Sequence, residues 1–274
     1  MIISMVNNKG GVGKTTTTVN LAEALARLGK KVLVIDIDGQ ASASMAMGVE
    51  RKKLQPSLSD VIFPVNDPTN QKDIVSIIRK NVLPNVDLIT STTELYSFDV
   101  RYAETPDIDF HGVLREKFQP LRSLYDYIII DCPPTFTLLT INALIASDHY
   151  IVPITPNYLS AEGFQNFLEM MDLIQEGVGS AATELGILVN MIEKRVSHRT
   201  MVDLLRTTFE DSVFDTQINM SVRFQEAPRF GKTLLAYQPN TKWSTAYEQL
   251  AMEVINRIEK QKGVSKQANA EVRV

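Results

Sequence analysis

With 274 residues, 44% of them hydrophobic and 22% charged, the chain suits one large domain with a sizeable core, two small domains being the weaker alternative. A single cysteine, Cys132, excludes an intramolecular disulfide and any CxxC metal or cluster site and points to a reducing cytosol, and three scattered histidines (His111, His149, His198) form no metal-ligand motif. The net charge of −4 excludes a protein basic all over but leaves room for a local basic patch; the start MIISMVNNKGG lacks the pattern of a signal peptide, and no apolar run of about 18 residues predicts a membrane span.

In chain order, Ile2–Val6 reads as a buried strand and Thr15–Leu28 as a helix with Val19, Leu21, Ala22, Leu25 and Leu28 on its apolar face, closed by Gly29. Lys31–Asp38, Val86–Ile89, Tyr127–Asp131, Tyr150–Ile154, Gly186–Met191 and Val213–Ile218 are the further predicted strands. Helical patterns fall between them, notably Ala161–Gln175, Arg199–Phe209 and Thr241–Ile258. Nearly continuous apolar strands separated by helices predict an α/β fold, a mostly parallel twisted sheet with helices on both faces. The least regular stretch is 50–85, with prolines at 56, 64, 68 and 84. The small, polar residues 263–274 are expected to form a disordered tail behind a single domain of residues 1–262.

Strand, glycine-rich turn and helix follow directly at the N-terminus, the context that a phosphate-binding loop requires. The stretch N-N-K-G-G-V-G-K-T-T departs from G-x-x-x-x-G-K-[ST] by carrying Asn8 in place of the first glycine, with an additional lysine, Lys9, beside it. Gly10, Gly11 and Gly13 free backbone N–H groups to converge on phosphate, and the helix starting near Lys14 adds the positive end of its dipole. Lys14 suits the β- and γ-phosphates and the Thr15 hydroxyl suits Mg²⁺. A second G-K-T, in Phe230–Thr233, has no glycine in the five preceding positions and reads as an ordinary loop.

Carboxylates end two other strands. Alternation puts Asp36 and Asp38 on one side at the carboxyl edge of the sheet, where a carboxylate can orient a water or hold a Mg²⁺-bound one. The run Ile128–Asp131 has the form of a Walker B strand, with Asp131 directed at Mg²⁺. Cys132 beside it reads as a small packing residue.

K-G-G-V-G-K-T-T, V-L-V-I-D-I-D-x-Q-A-S and I-I-I-D-C-P-P together resemble the ParA/MinD group of deviant Walker ATPases, and S-V-R-F-Q-E-A-P-R-F-G-K-T is similar to the ParA branch, so that the resemblance spans residues 1–258. It implies a P-loop NTPase that uses ATP and Mg²⁺ and hydrolyses slowly by itself. Lys9 matches the signature lysine that reaches a partner's nucleotide in an ATP-bound homodimer. Gly10–Gly13, Lys14, Thr15 and Thr16 match the nucleotide loop, Asp38 the residue that positions the hydrolytic water, and Asp131 the Walker B aspartate. Asn190 falls where the family contacts adenine. Two departures stand out: Gly39 replaces a common proline, which should loosen the turn after Asp38, and Asn219-Met220 replaces a frequent Pro-Arg, removing one DNA-contacting cation.

Within the group, a single cysteine excludes iron–sulfur branches, and the absence of a tyrosine cluster from the tail excludes the tyrosine kinases. The tail K-Q-K-G-V-S-K-Q-A-N-A-E-V-R-V is a poor amphipathic anchor, which sets a MinD-like membrane ATPase behind a DNA-binding one. Between Lys194 and Lys232 there are seven Lys/Arg against five acids, a modest surplus that dimerisation would double. Arg195, Arg199, Arg223 and Arg229 are the candidate contacts to nonspecific double-stranded DNA. The combined expectation is a cytoplasmic, nucleoid-associated ATPase that positions a cargo and is stimulated by a ParB-like adaptor. A nucleotide-gated scaffold that hardly hydrolyses is the rival from another class.

Overall fold

Apolar runs of four to seven residues become the strands β1 (Ile2–Met5), β2 (Val32–Asp36), β4 (Val86–Ile89), β5 (Tyr127–Asp131), β6 (His149–Ile154) and β7 (Thr183–Val189), joined by the edge strand β3 (Arg79–Leu83). The computed structural model describes residues 1–63, 72–103, 112–156, 161–178 and 182–271; Pro64, Pro68 and His111 lie outside them. The sheet order is β3-β4-β2-β5-β1-β6-β7, parallel throughout except for the antiparallel β3–β4 pair. The helices are α1 (Lys14–Arg27), α2 (Ser42–Ala46), α3 (Ser59–Ile62), α4 (Phe98–Ala103), α5 (Val113–Phe118), α6 (Leu138–Ala146), α7 (Ala161–Val178), α8 (Val196–Phe209), α9 (Arg223–Glu226), α10 (Leu234–Tyr237) and α11 (Lys242–Glu271).

Strand alternation divides the interior into two cores. Ile3, Met5, Val32, Val34 and Ile129 pack on Leu21 and Leu25 of α1 and on Tyr247 and Leu250 of α11. Ile2, Leu33, Ile35, Ile128 and Ile130 face Leu114, Leu144 and Phe167 of α5, α6 and α7. Each such buried Ile or Leu stabilises the fold by about 1.5–3 kcal/mol relative to an exposed one. Because the central strands are covered on both faces, only their carboxyl edge is left for chemistry.

Three features differ from the sequence reading. The irregular stretch hides β3, whose R-K-N-V-L has no apolar alternation because it is an exposed edge strand, and a charged edge resists pairing with another chain. Val213–Ile218 runs beside β7 but bonds to it only intermittently, with an isolated bridge at Ile187–Val213 and another just past both segments at Ile192–Asn219. The reason is α11: Glu253 accepts the Thr216 N–H (2.9 Å), which lies between the Phe214 and Ile218 N–H groups that donate to β7, and also accepts that of Asp215 (2.8 Å). Finally, α11 continues to Glu271, past the point where the disordered tail is expected to begin. Extending an existing helix avoids the nucleation cost, and Lys, Gln, Ala and Glu are good helix formers. Among the described residues, no helix is long and apolar enough to cross a membrane.

Candidate nucleotide site

Adjacent strand ends bring the site together, since Met5 of β1 and Asp36 of β2 both stand in register with Asp131 of β5. Beyond β1 the chain is held by Asn7, whose side chain donates to the Pro153 carbonyl (2.8 Å) and accepts the Lys9 N–H (2.9 Å). Gly11 (φ 77°) and Gly13 (φ 91°) then bend the loop through the left-handed region. At Gly13 room is short as well, because a Cβ would meet the Asn190 amide nitrogen at 2.9 Å. Helix α1 opens with no side-chain cap and no acidic residue in its first turn. Its N-terminal N–H groups and dipole therefore face the loop unneutralised, the arrangement that suits an anion.

The two lysines of the loop occupy different places. Lys14 is buried, with its ammonium donating to the carbonyls of Asn7 (3.0 Å) and Lys9 (2.9 Å), and burial lowers its pKa although Asp131 partly opposes the shift. Lys9 is exposed at the loop's outer turn.

Asp131 is fully buried and accepts the hydroxyls of Thr15 (2.8 Å) and Thr18 (2.9 Å). Burial raises its pKa to about 6 in spite of those two bonds. A buried carboxylate beside a threonine hydroxyl is an oxygen donor set fitted to Mg²⁺, which would discharge the same burial penalty. Thr18 is absent from the motif reading, yet its spacing of three from Thr15 places both on one helical face, a signal present in the sequence.

Asp36 and Asp38 do different work. Asp36 is fully buried and accepts the backbone N–H and the hydroxyl of Ser44 (both 2.8 Å) and the Asp38 N–H (3.1 Å). Burial, and then Asp131, push it up to about 7. It anchors α2 and is removed from solvent. Asp38 is half-buried at the edge, with Oδ1 accepting the Gln40 N–H (2.9 Å) and its carbonyl accepting the Ser91 hydroxyl (2.5 Å). The ring of Tyr96 lies against Gly39, the residue after Asp38.

Asn190, expected to meet adenine, lies beneath the loop, and its buried amide oxygen has no hydrogen-bond partner among the described residues. The residue is 2% exposed and donates to the Val12 carbonyl (3.0 Å) and the Thr17 hydroxyl (3.1 Å), so it braces the underside of the loop. The second G-K-T is a docking element: the Thr233 hydroxyl donates to Glu23 of α1 and accepts the Ala236 N–H (3.2 Å), while the Leu234 N–H binds Asn20 (2.7 Å). Between this segment, α2 and Thr15–Thr16 lies a cavity of about 300 Å³. Cys132 packs in the core, where burial pushes its thiol up. His149 bonds to Thr183 and His198 to the Glu193 N–H, both away from the site.

The four candidate arginines occupy two segments that start side by side where Ile192 pairs with Asn219. Arg195 precedes α8 and is paired with Glu193 (2.7 Å), and Arg223 opens α9 and is paired with Glu226 (2.6 Å). Arg199 and Arg229 are exposed. Met220, 44% exposed, stands where the family's arginine is frequent.

Residues 1–184 match the family model described as an AAA domain. The chain is 36% identical over 254 residues to the sporulation initiation inhibitor protein Soj of Bacillus subtilis, covering 92% of this chain and 97% of Soj. It is 32% identical over 258 residues to the chromosome partitioning protein ParA of Myxococcus xanthus, covering 93% and 88%. In fold it is similar to cobyrinic acid a,c-diamide synthase from Mycobacterium smegmatis with bound ADP and magnesium, at a TM-score of 0.77 and 23% identity, covering 94% of this chain and 95% of that one. Relatives aligned over nearly the whole length, together with a phosphate loop that carries two lysines in different settings, place this chain in the ParA/MinD family of partition and positioning ATPases.

Proposed function

We propose that the chain is an ATP-driven dimerising switch that holds nonspecific double-stranded DNA in the dimeric state and releases it after hydrolysis stimulated by a ParB-like adaptor. The observation that carries this reading is the division of labour between the loop lysines. Lys14 fills the interior of its own loop, while Lys9 is displayed at the surface, where a second subunit would approach. A loop serving only its own nucleotide has no use for that second charge.

The uncapped α1 terminus and the glycine turn fit a triphosphate, and Thr15 with Asp131 fits its Mg²⁺. Mg-ATP, when bound, supplies the γ-phosphoryl group whose transfer to water is the reaction. Lys14 would trade its two carbonyl partners for phosphate oxygens, and Thr16 would follow it on the same helix end. Asp38, half-buried beside the loop, would orient the attacking water. Asn190 would serve by holding Val12 and Thr17 in place. Such alignment of separate parts is demanding, so hydrolysis by a lone subunit is expected to be slow.

The test is size-exclusion chromatography with ATP. Asp38→Ala should accumulate as a dimer, and adding Lys9→Ala should return it to monomer while binding of a fluorescent ADP analogue persists. The Asp38→Ala dimer should shift DNA of unrelated sequences equally and should not float with liposomes. Flotation without a DNA shift would establish the membrane alternative and overturn this reading.

A further inference from the structure

At Gly39, the residue after Asp38, the Tyr96 ring occupies the space that a Cβ would take. Gly39 does not adopt a positive φ, so its backbone is open to other residues. A Cβ there, however, would come within 2.8 Å of the Tyr96 ring. That ring is 56% exposed, and its hydroxyl accepts a 2.5 Å hydrogen bond from the Gln40 side chain. Five residues earlier, Ser91 binds the Asp38 carbonyl at 2.5 Å. The segment after β4 therefore grips the turn at three consecutive residues, with Ser91 on 38 and Tyr96 on 39 and 40.

The grip reaches the carboxylate through a single contact. Asp38 Oδ1 accepts the backbone N–H of Gln40, so the place of Gln40 sets the direction of the carboxyl group. A glycine at the intervening position would leave that geometry loose if nothing were packed on it, because glycine has the widest backbone freedom.

We propose that Tyr96 is a positioning residue for hydrolysis. Its ring, seated on Gly39, immobilises the Asp38–Gln40 turn from outside, the task that an in-chain proline performs by fixing its own φ. This inference rests on the reading of Asp38 as the residue that orients water.

The experiment measures phosphate release against Mg-ATP concentration, affinity for a fluorescent ADP analogue and Tm for Tyr96→Ala, Tyr96→Phe, Gly39→Ala and the Gly39→Ala/Tyr96→Ala double variant, with Asp38→Ala as reference. Tyr96→Ala and Gly39→Ala should each lower kcat about tenfold, since small misplacement of a positioning group is costly, with KM, ADP affinity and Tm close to the parent's. The double variant should be no slower than Tyr96→Ala, because both changes remove the same contact. Tyr96→Phe keeps the ring and should recover most of the loss. A parental kcat in Tyr96→Ala, losses that multiply in the double variant, or a fall in ADP affinity as large as the fall in kcat would each overturn the proposal. If Asp38→Ala turns over like the parent, the reading of Asp38 fails and this inference with it; if Asp38→Ala is inactive while Tyr96→Ala is not, this inference alone fails.

Discussion

Two aspartates stand as neighbours on adjacent strands at the centre of the site, and both are buried. Burial raises Asp131 to about 6 and, together with Asp131, raises Asp36 to about 7, from an ordinary value of 3.8. A carboxyl group whose folded pKa is raised makes the native state the better proton binder, so stability declines as pH rises from about 4 to about 7 and is flat above that window. This is the cost of keeping a cation site ready. Asp131→Asn removes one ionisable member and keeps its shape, and the Thr15 and Thr18 hydroxyls can reorient to suit an amide. The ligand-free variant should melt above the parent at pH 7.5, by about 2 °C or more. Below about pH 4, where the parent's carboxyl is protonated in the folded and the unfolded state alike, the two should melt together. The same variant should lose magnesium-dependent nucleotide binding. Equal melting temperatures at both pH values would show that the buried charge carries no such cost.

At the scale of elements, α2 links the two halves of the carboxyl edge. Its start hangs from Asp36 through Ser44, and Gly48, past its end, meets Gly231 of the second G-K-T. Gly231 has φ 61°, and a Cβ on it would lie 2.7 Å from the Gly48 Cα, a backbone atom that cannot step aside. Gly29 has φ 78° with open space around it. Gly29→Ala should therefore cost only the left-handed strain, about 1–2 kcal/mol, while Gly231→Ala should cost about 1–3 kcal/mol more from overpacking. Urea denaturation of both variants measures the difference, and equal losses would refute the seam. Elements of this kind separate what was legible in the sequence from what was not. The central strands announce themselves because burial on both faces demands unbroken apolar runs, and Lys14, Thr15 and Asp131 because their chemistry is tied to local spacing. Strand β3 does not, since an edge strand needs no apolar pattern, and Val213–Ile218 misleads because Glu253, far along the chain, takes the Thr216 N–H. Asn7, Ser91 and Tyr96 escape notice for the same reason: each acts on a partner brought near only by the fold.

At the scale of the whole molecule, a chain of net charge −4 can hold nucleic acid only if its cations are concentrated and uncommitted. The proposed face meets the first condition modestly and the second in part. Arg223 is committed to Glu226 at 2.6 Å, which raises its pKa, and Arg195 to Glu193 at 2.7 Å, whereas among the described residues no ion pair engages Arg199 or Arg229. An exposed pair of this kind contributes about 0–1 kcal/mol to stability, so releasing the arginine costs the fold little. Binding without base readout depends on phosphates neutralised, and each contact contributes about one unit to the slope of log K against log salt. Arg229→Glu should therefore weaken DNA binding by the ATP-bound dimer and flatten that slope by about two, one contact per subunit. Glu226→Gln should act in the opposite direction, tightening DNA by setting Arg223 free, with nucleotide affinity unchanged. Fluorescence anisotropy on unrelated duplexes across a salt series reads both effects. If Glu226→Gln leaves affinity and slope at parental values while Arg229→Glu reduces them, the DNA track follows Arg229 and excludes α9. If neither variant moves them, the basic face lies elsewhere on the molecule.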